Sequence, residues 1–103
     1  MVMEKEFEII WSKESKVQFD KILRYLKDAW TEKEIKKFVS QLKSFERIVV
    51  RFPEIYPESI NNPGIRRAVL SKHNSVIYKT DWGNSLIKVY TIFDNRQHPG
   101  KLK

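Results

Sequence analysis

Arg66 and Arg67 stand side by side in the run Ile65-Arg66-Arg67-Ala68-Val69-Leu70. A guanidinium is a planar fork that grips a phosphate or carboxylate through paired hydrogen bonds. In an extended segment neighbouring side chains point to opposite faces, so one arginine meets a ligand while the other turns toward the core or a rim. Tyr78, Lys88 and Tyr90 stand on predicted strands whose other residues are mostly apolar, which makes them, with the arginines, candidates for a binding face. Arg96 and His98, in Asp94-Asn95-Arg96-Gln97-His98-Pro99, would supply a cation and a proton-transfer group for RNA cleavage. A polar tail after a strand is the plainer reading of the same run.

Other chemistries find little support. His73 and His98 are the only histidines and cysteine is absent, so a metal site would need scattered carboxylates, and none is expected. Glu54 and Glu58 lie in a proline-broken stretch and read as solvated rather than as a catalytic carboxylate pair. With three glycines and no Gly-rich phosphate loop, G-x-S-x-G elbow or H-E-x-x-H, no cofactor is expected. Of the tryptophans, Trp11 and Trp30 are assigned to the core, and Trp82 to either core or surface.

The 103 residues suit one domain, spanning residues 1–103, and 41% hydrophobic content supports a core. Twenty Lys and Arg against thirteen Asp and Glu leave a net charge of +7, which favours an anionic partner: nucleic acid, ribosome or an acidic peptide. No stretch of about 18 apolar residues and no apolar run behind a basic start is present, so a cytoplasmic protein without membrane contact is expected.

These side chains need a scaffold. Phe7, Ile9 and Trp11 alternate as a short strand over residues 5–11. Ser12 offers an N-cap, and Phe19, Ile22, Leu23, Leu26 and Ala29 recur at helical spacing over residues 13–29. Thr31 and Glu34 have the spacing of a capping box, ahead of Ile35, Phe38, Val39, Leu42, Phe45, Ile48 and Val49 on one face of a second helix. So short a connection predicts an antiparallel helix hairpin. Pro53, Pro57 and Pro63 make residues 52–64 an ordered loop, and Ile65 to Leu70, Val76 to Thr80 and Leu86 to Phe93 predict an antiparallel meander. The fold class is α+β: an N-terminal strand and a two-helix hairpin on an antiparallel sheet of about four strands.

In this order Trp11-Ser12, Ile22-x-x-Tyr25-Leu26, Pro53-x-x-Tyr56-Pro57, Ile65-Arg66-Arg67-x-Val69-Leu70, Val76-Ile77-Tyr78 and Ile92-Phe93-Asp94-x-Arg96-Gln97-x-Pro99 resemble the RelE/ParE toxin superfamily from Phe7 to Leu102. The resemblance implies the toxin of a type II toxin-antitoxin system, held in a hetero-oligomer by a cognate antitoxin whose tail wraps over the basic surface. RelE-like members cut messenger RNA on the ribosome, whereas ParE-like members inhibit DNA gyrase without cutting. For cleavage the resemblance implies Arg67, Lys72, Arg96 and His98 as catalytic candidates. For target or antitoxin binding the candidates are Arg66, Arg67, Tyr78, Lys88, Tyr90 and Arg96. Ser75 stands where cutters often carry arginine, no tyrosine lies near Leu102, and the long helices and the Asp94-x-Arg96-Gln97-x-Pro99 ending resemble the ParE-like branch. A basic nucleic-acid binder unrelated to toxins is the third reading.

Overall fold

A computed structural model describes residues 6–96. Along the chain lie β1 (Glu8–Trp11), α1 (Lys13–Ala29), α2 (Glu32–Val49), β2 (Ile65–Val69), β3 (Asn74–Asp81) and β4 (Leu86–Asp94). Gln97, His98, Pro99 and Leu102 lie outside the described residues, as does Lys5 at the start of the first predicted strand.

Local chemistry sets the helix starts. Ser12 Oγ accepts the Ser15 amide at 3.0 Å and donates to the Tyr90 carbonyl at 2.7 Å, so one hydroxyl caps α1 and fastens its start to β4. Thr31 takes the N-cap position of α2, but its side chain makes no capping hydrogen bond. The expected capping box is absent because Glu34 turns instead to Arg96, with Oε1 2.8 Å from its guanidinium.

The strand order is β1-β4-β3-β2. The three C-terminal strands form the expected antiparallel meander, but β1 adds to the free edge of β4 in parallel, with Ile9 opposite Ile87 and Trp11 opposite Val89. The sheet is therefore mixed, since a period-2 pattern states which residues share a face but not which way a strand runs. One sheet face carries the helices. Ile22 and Leu26 of α1, Phe38, Leu42, Phe45 and Val49 of α2, and Ala68, Val76, Tyr78, Ile87, Val89 and Ile92 of the sheet form the buried core.

Loop 52–64 runs back along the outer edge of β2. The Arg67 amide donates to the Pro57 carbonyl at 3.1 Å, and Glu58 and Arg66 form an antiparallel bridge. The loop thus covers part of an edge that would otherwise present unpaired backbone groups. Gly64, at φ +89°, takes the left-handed turn that delivers the chain into β2, and its amide donates to the Glu58 carboxylate. No described helix is long and apolar enough to cross a membrane.

Candidate functional site

The sheet face turned away from the helices is the one open to a ligand, and strand register decides which candidates reach it. Directly opposed residues of paired strands share a face. Arg67 opposes Ile77, which opposes Thr91, while Lys79 opposes Lys88, which in turn registers with Ile10. Val69, Ser75 and Phe93 complete a third row. The pairing slips between Ile77 and Tyr78, which leaves Tyr90 without a partner on β3. Such a bulge re-aims a side chain, and Tyr90 is 40% exposed.

The resulting face mixes cations with exposed apolar groups, among them Ile10 at 46% and Val69 at 59% exposure. Arg67 Nε donates to Ser75 Oγ at 3.3 Å. Among the described residues no carboxylate lies within ion-pair distance of Arg67 or Lys79, whereas Lys88 Nζ sits 3.4 Å from Asp81. Asp81 is held below the usual carboxylate range chiefly by hydrogen bonds from Asn84, with Lys88 adding to the effect. Arg67, Lys79, Lys88 and Tyr90 therefore offer guanidinium, ammonium and phenol on one wall.

Three other candidates are turned elsewhere. Tyr78 is fully buried on the helix side, packs edge-on to Phe45 at 5.7 Å, and donates its hydroxyl to the Pro53 carbonyl at 2.7 Å. Burial pushes its phenol up to about 12. Its assignment to a ligand-facing surface is corrected: it anchors loop 52–64 from inside. Arg66, the inward member of the pair, donates to the Tyr56 carbonyl at 2.8 Å and lies 3.9 Å from Glu58, so its fork is spent on the same loop.

Arg96 follows β4 and folds inward. Its guanidinium meets Asp94 at 2.8 Å and Glu34 of α2 at 2.8 Å, with the arginine side chain 8% and the aspartate 0% exposed. Asn74 Nδ2 donates to Asp94 Oδ2 at 2.7 Å, the oxygen that also accepts from Arg96 Nη2, and Tyr25 donates to the Arg96 carbonyl at 3.0 Å. Burial alone would raise the Asp94 carboxyl, but the hydrogen bonds from Arg96 and Asn74 outweigh it and hold the group below its ordinary value. The hydrogen bond from Arg96 likewise lowers Glu34. As a free phosphate clamp Arg96 is thus corrected, because both faces of its fork are occupied by carboxylates.

Trp30 is also corrected from core to surface. It is 44% exposed and lies against the Arg96 guanidinium, whose carbon is 4.9 Å from the ring centroid. Trp11 is half-buried and packs against Phe45 at 6.5 Å, while Trp82 is 54% exposed and meets Phe7 edge-on. Lys72 is exposed on the β2–β3 turn, beside a small concavity lined by Glu34, Lys37, Gln41, His73 and Arg96. Burial, then the nearby Arg96 charge, lowers His73, which favours its neutral form. Sequence reasoning missed Lys79, whose signal was its place one residue after Tyr78 on the opposite face. Among the described residues no group of three His, Asp or Glu converges to hold a metal ion.

No family model and no curated protein matches the sequence. Solved structures match its fold. The RelBE2 toxin-antitoxin complex of Mycobacterium tuberculosis superposes with a TM-score of 0.62 at 11% identity, over 87% of this chain and 99% of that one. A chromosomal ParDE toxin-antitoxin system from P. aeruginosa gives 0.63 at 18% identity, over 86% and 96%. The DinJ-YafQ toxin-antitoxin complex of E. coli gives 0.61 at 14%, over 93% and 100%. The chain has the RelE/ParE toxin fold. Identities this low carry the fold and not the chemistry. Within the RelE/ParE fold, this chain's outer sheet face keeps Arg67, Lys79 and Lys88 toward solvent and sends Arg66 and Arg96 inward.

Proposed function

We propose that this chain is the toxin of a type II toxin-antitoxin system, a cytoplasmic, ParE-like inhibitor that arrests growth by binding a target such as DNA gyrase and is neutralised by a cognate antitoxin. The observation that carries the reading is the fate of Arg96, the cation after the last strand, whose guanidinium is closed between Asp94 and Glu34. Phosphate cleavage needs a cation and a proton carrier aimed at one atom. The outer face offers instead a broad wall of cations and apolar groups, which suits binding. Its free charges also suit an acidic antitoxin segment, in keeping with the net +7.

The test is induction of the chain alone in bacteria, with growth, messenger 5′ ends and DNA damage signalling followed over minutes. Growth arrest with damage signalling and intact messages is the expected result. Codon-phased breaks in translated messages would replace it with the RelE-like endoribonuclease reading, for which Arg67 and Lys72 remain accessible. Normal growth alongside salt-sensitive RNA binding would favour a non-toxic nucleic-acid binder.

A further inference from the structure

The apolar stripe of α2 does not stop where the helix does. Beyond Val49 the Arg51 and Phe52 amides return to the Ile48 carbonyl at 3.2 and 2.9 Å, so Phe52 stands one turn after Ile48 on the same side. The Ile55 amide closes the next turn on the Phe52 carbonyl at 3.1 Å. Helical spacing groups Ile48 with the core, yet it is exposed, as are Phe52 and Ile55, each at 58%. The backbone that carries them is fastened from beneath. Pro53 is buried with its carbonyl held by Tyr78, and Arg66 donates to the Glu54 and Tyr56 carbonyls at 3.5 and 2.8 Å. These contacts hold out a small apolar surface in a fixed shape, so little ordering would offset its burial against a partner.

We infer that this patch seats a second copy of the chain in a twofold dimer. Charge selects the occupant. The charged neighbours are Arg47, Arg51 and Glu54, with Glu6 at 4.0 Å from Arg51: two cations and two carboxylates on a chain whose net charge is +7. Copies of so basic a protein repel one another where their cationic surfaces meet, and least where the local charge balances. Nucleic acid or an acidic partner gains less from a balanced patch than from the outer wall of cations, and an anionic lipid surface likewise favours cations in excess. A twofold contact sets one patch against itself, so the same balance becomes self-complementary. Ile48, Phe52 and Ile55 meet their own copies, and Glu54 of one copy comes within reach of Arg47 or Arg51 of the other. Three apolar side chains make a contact well below the roughly 800 Å² per partner of stable complexes, so the dimer is weak, with a dissociation constant on the order of 100 μM. None of this depends on the proposed growth inhibition, which concerns the outer sheet face.

Sedimentation of the full chain, over concentrations about tenfold to either side of that constant, tests this. A monomer–dimer equilibrium is expected, and on dilution the methyl resonances of Ile48 and Ile55 should shift while those of Ile10 and Val69 stay. Phe52→Glu with Ile55→Glu, both on exposed positions, should weaken the dimer at least about tenfold without altering the circular dichroism spectrum. Val69→Glu, on the outer face beside the free edge of β2, should leave it intact. Charge exchange is the sharper check. A chain carrying Arg47→Glu and Arg51→Glu, and another carrying Glu54→Arg, should each associate poorly alone and pair with one another when mixed. A chain that stays monomeric throughout would overturn the inference, and if the Phe52 and Ile55 resonances then respond to phosphatidylglycerol vesicles the patch belongs to a lipid surface. So would a dimer that survives Phe52→Glu with Ile55→Glu and is dissolved by Val69→Glu, because the copies would then meet through the sheet.

Discussion

Arg96 is worth more to the fold than its place near a chain end suggests. Removing one member of a buried ion pair strands the other, so Arg96→Ala should lower stability by about 3 kcal/mol in urea unfolding, with Asp94 left unpartnered beside Asn74. The pH dependence follows from the depressed carboxyls. Asp94 and Glu34 both titrate below their ordinary values, so their contribution is full above the unfolded carboxylate range near pH ~4 and fades as pH falls through the folded values. The difference in urea midpoint between wild type and Arg96→Ala should therefore be widest at neutral pH and shrink in acid. A difference that stayed constant down to low pH would assign the loss to packing against Trp30 instead. Tyr78→Phe removes the hydroxyl that holds the Pro53 carbonyl, and a cost of about 1–2 kcal/mol is expected, with faster amide exchange in loop 52–64.

At the scale of elements, α2 joins the core through Phe38, Leu42, Phe45 and Val49, and Phe38→Ala should cost about 3–5 kcal/mol in thermal or chemical unfolding. Near-wild-type melting would refute the core assignment. The helix hairpin and the meander were legible because each rests on a repeated signal: apolar residues at helical spacing in Ile22 and Leu26 or Phe38, Leu42 and Phe45, and β-rich runs between turn residues. Single-residue fates were less legible. Thr31 and Glu34 satisfy the capping pattern locally, yet Glu34 finds a better partner in Arg96, 62 positions away. Tyr78 lies in Val76-Ile77-Tyr78, apolar on both faces, so alternation alone does not orient it. The adjacent arginines posed the same problem, and there strand geometry did say that only one would face outward. It fell to Arg67, because Arg66 reaches the loop carbonyls at the rim.

For the whole molecule, the useful division is between its two sides. The outer sheet face carries the proposed growth inhibition, and Arg67→Glu with Lys79→Glu should abolish arrest in induced cells while leaving the melting temperature nearly unchanged, since both side chains are exposed. Loss of arrest together with loss of fold would not count as support. The strand order has another consequence, one that concerns time. The strand between β1 and β3 is β4, the last to be synthesised among the described strands. Until Leu86 to Asp94 has left the ribosome, β1 has no neighbour, α1 has no floor beneath Ile22 and Leu26, and the wall bearing Arg67 and Lys79 lacks its central row. On the proposed function, the acting surface is unfinished while the chain is nascent, so growth inhibition would begin only after residue 94 is made.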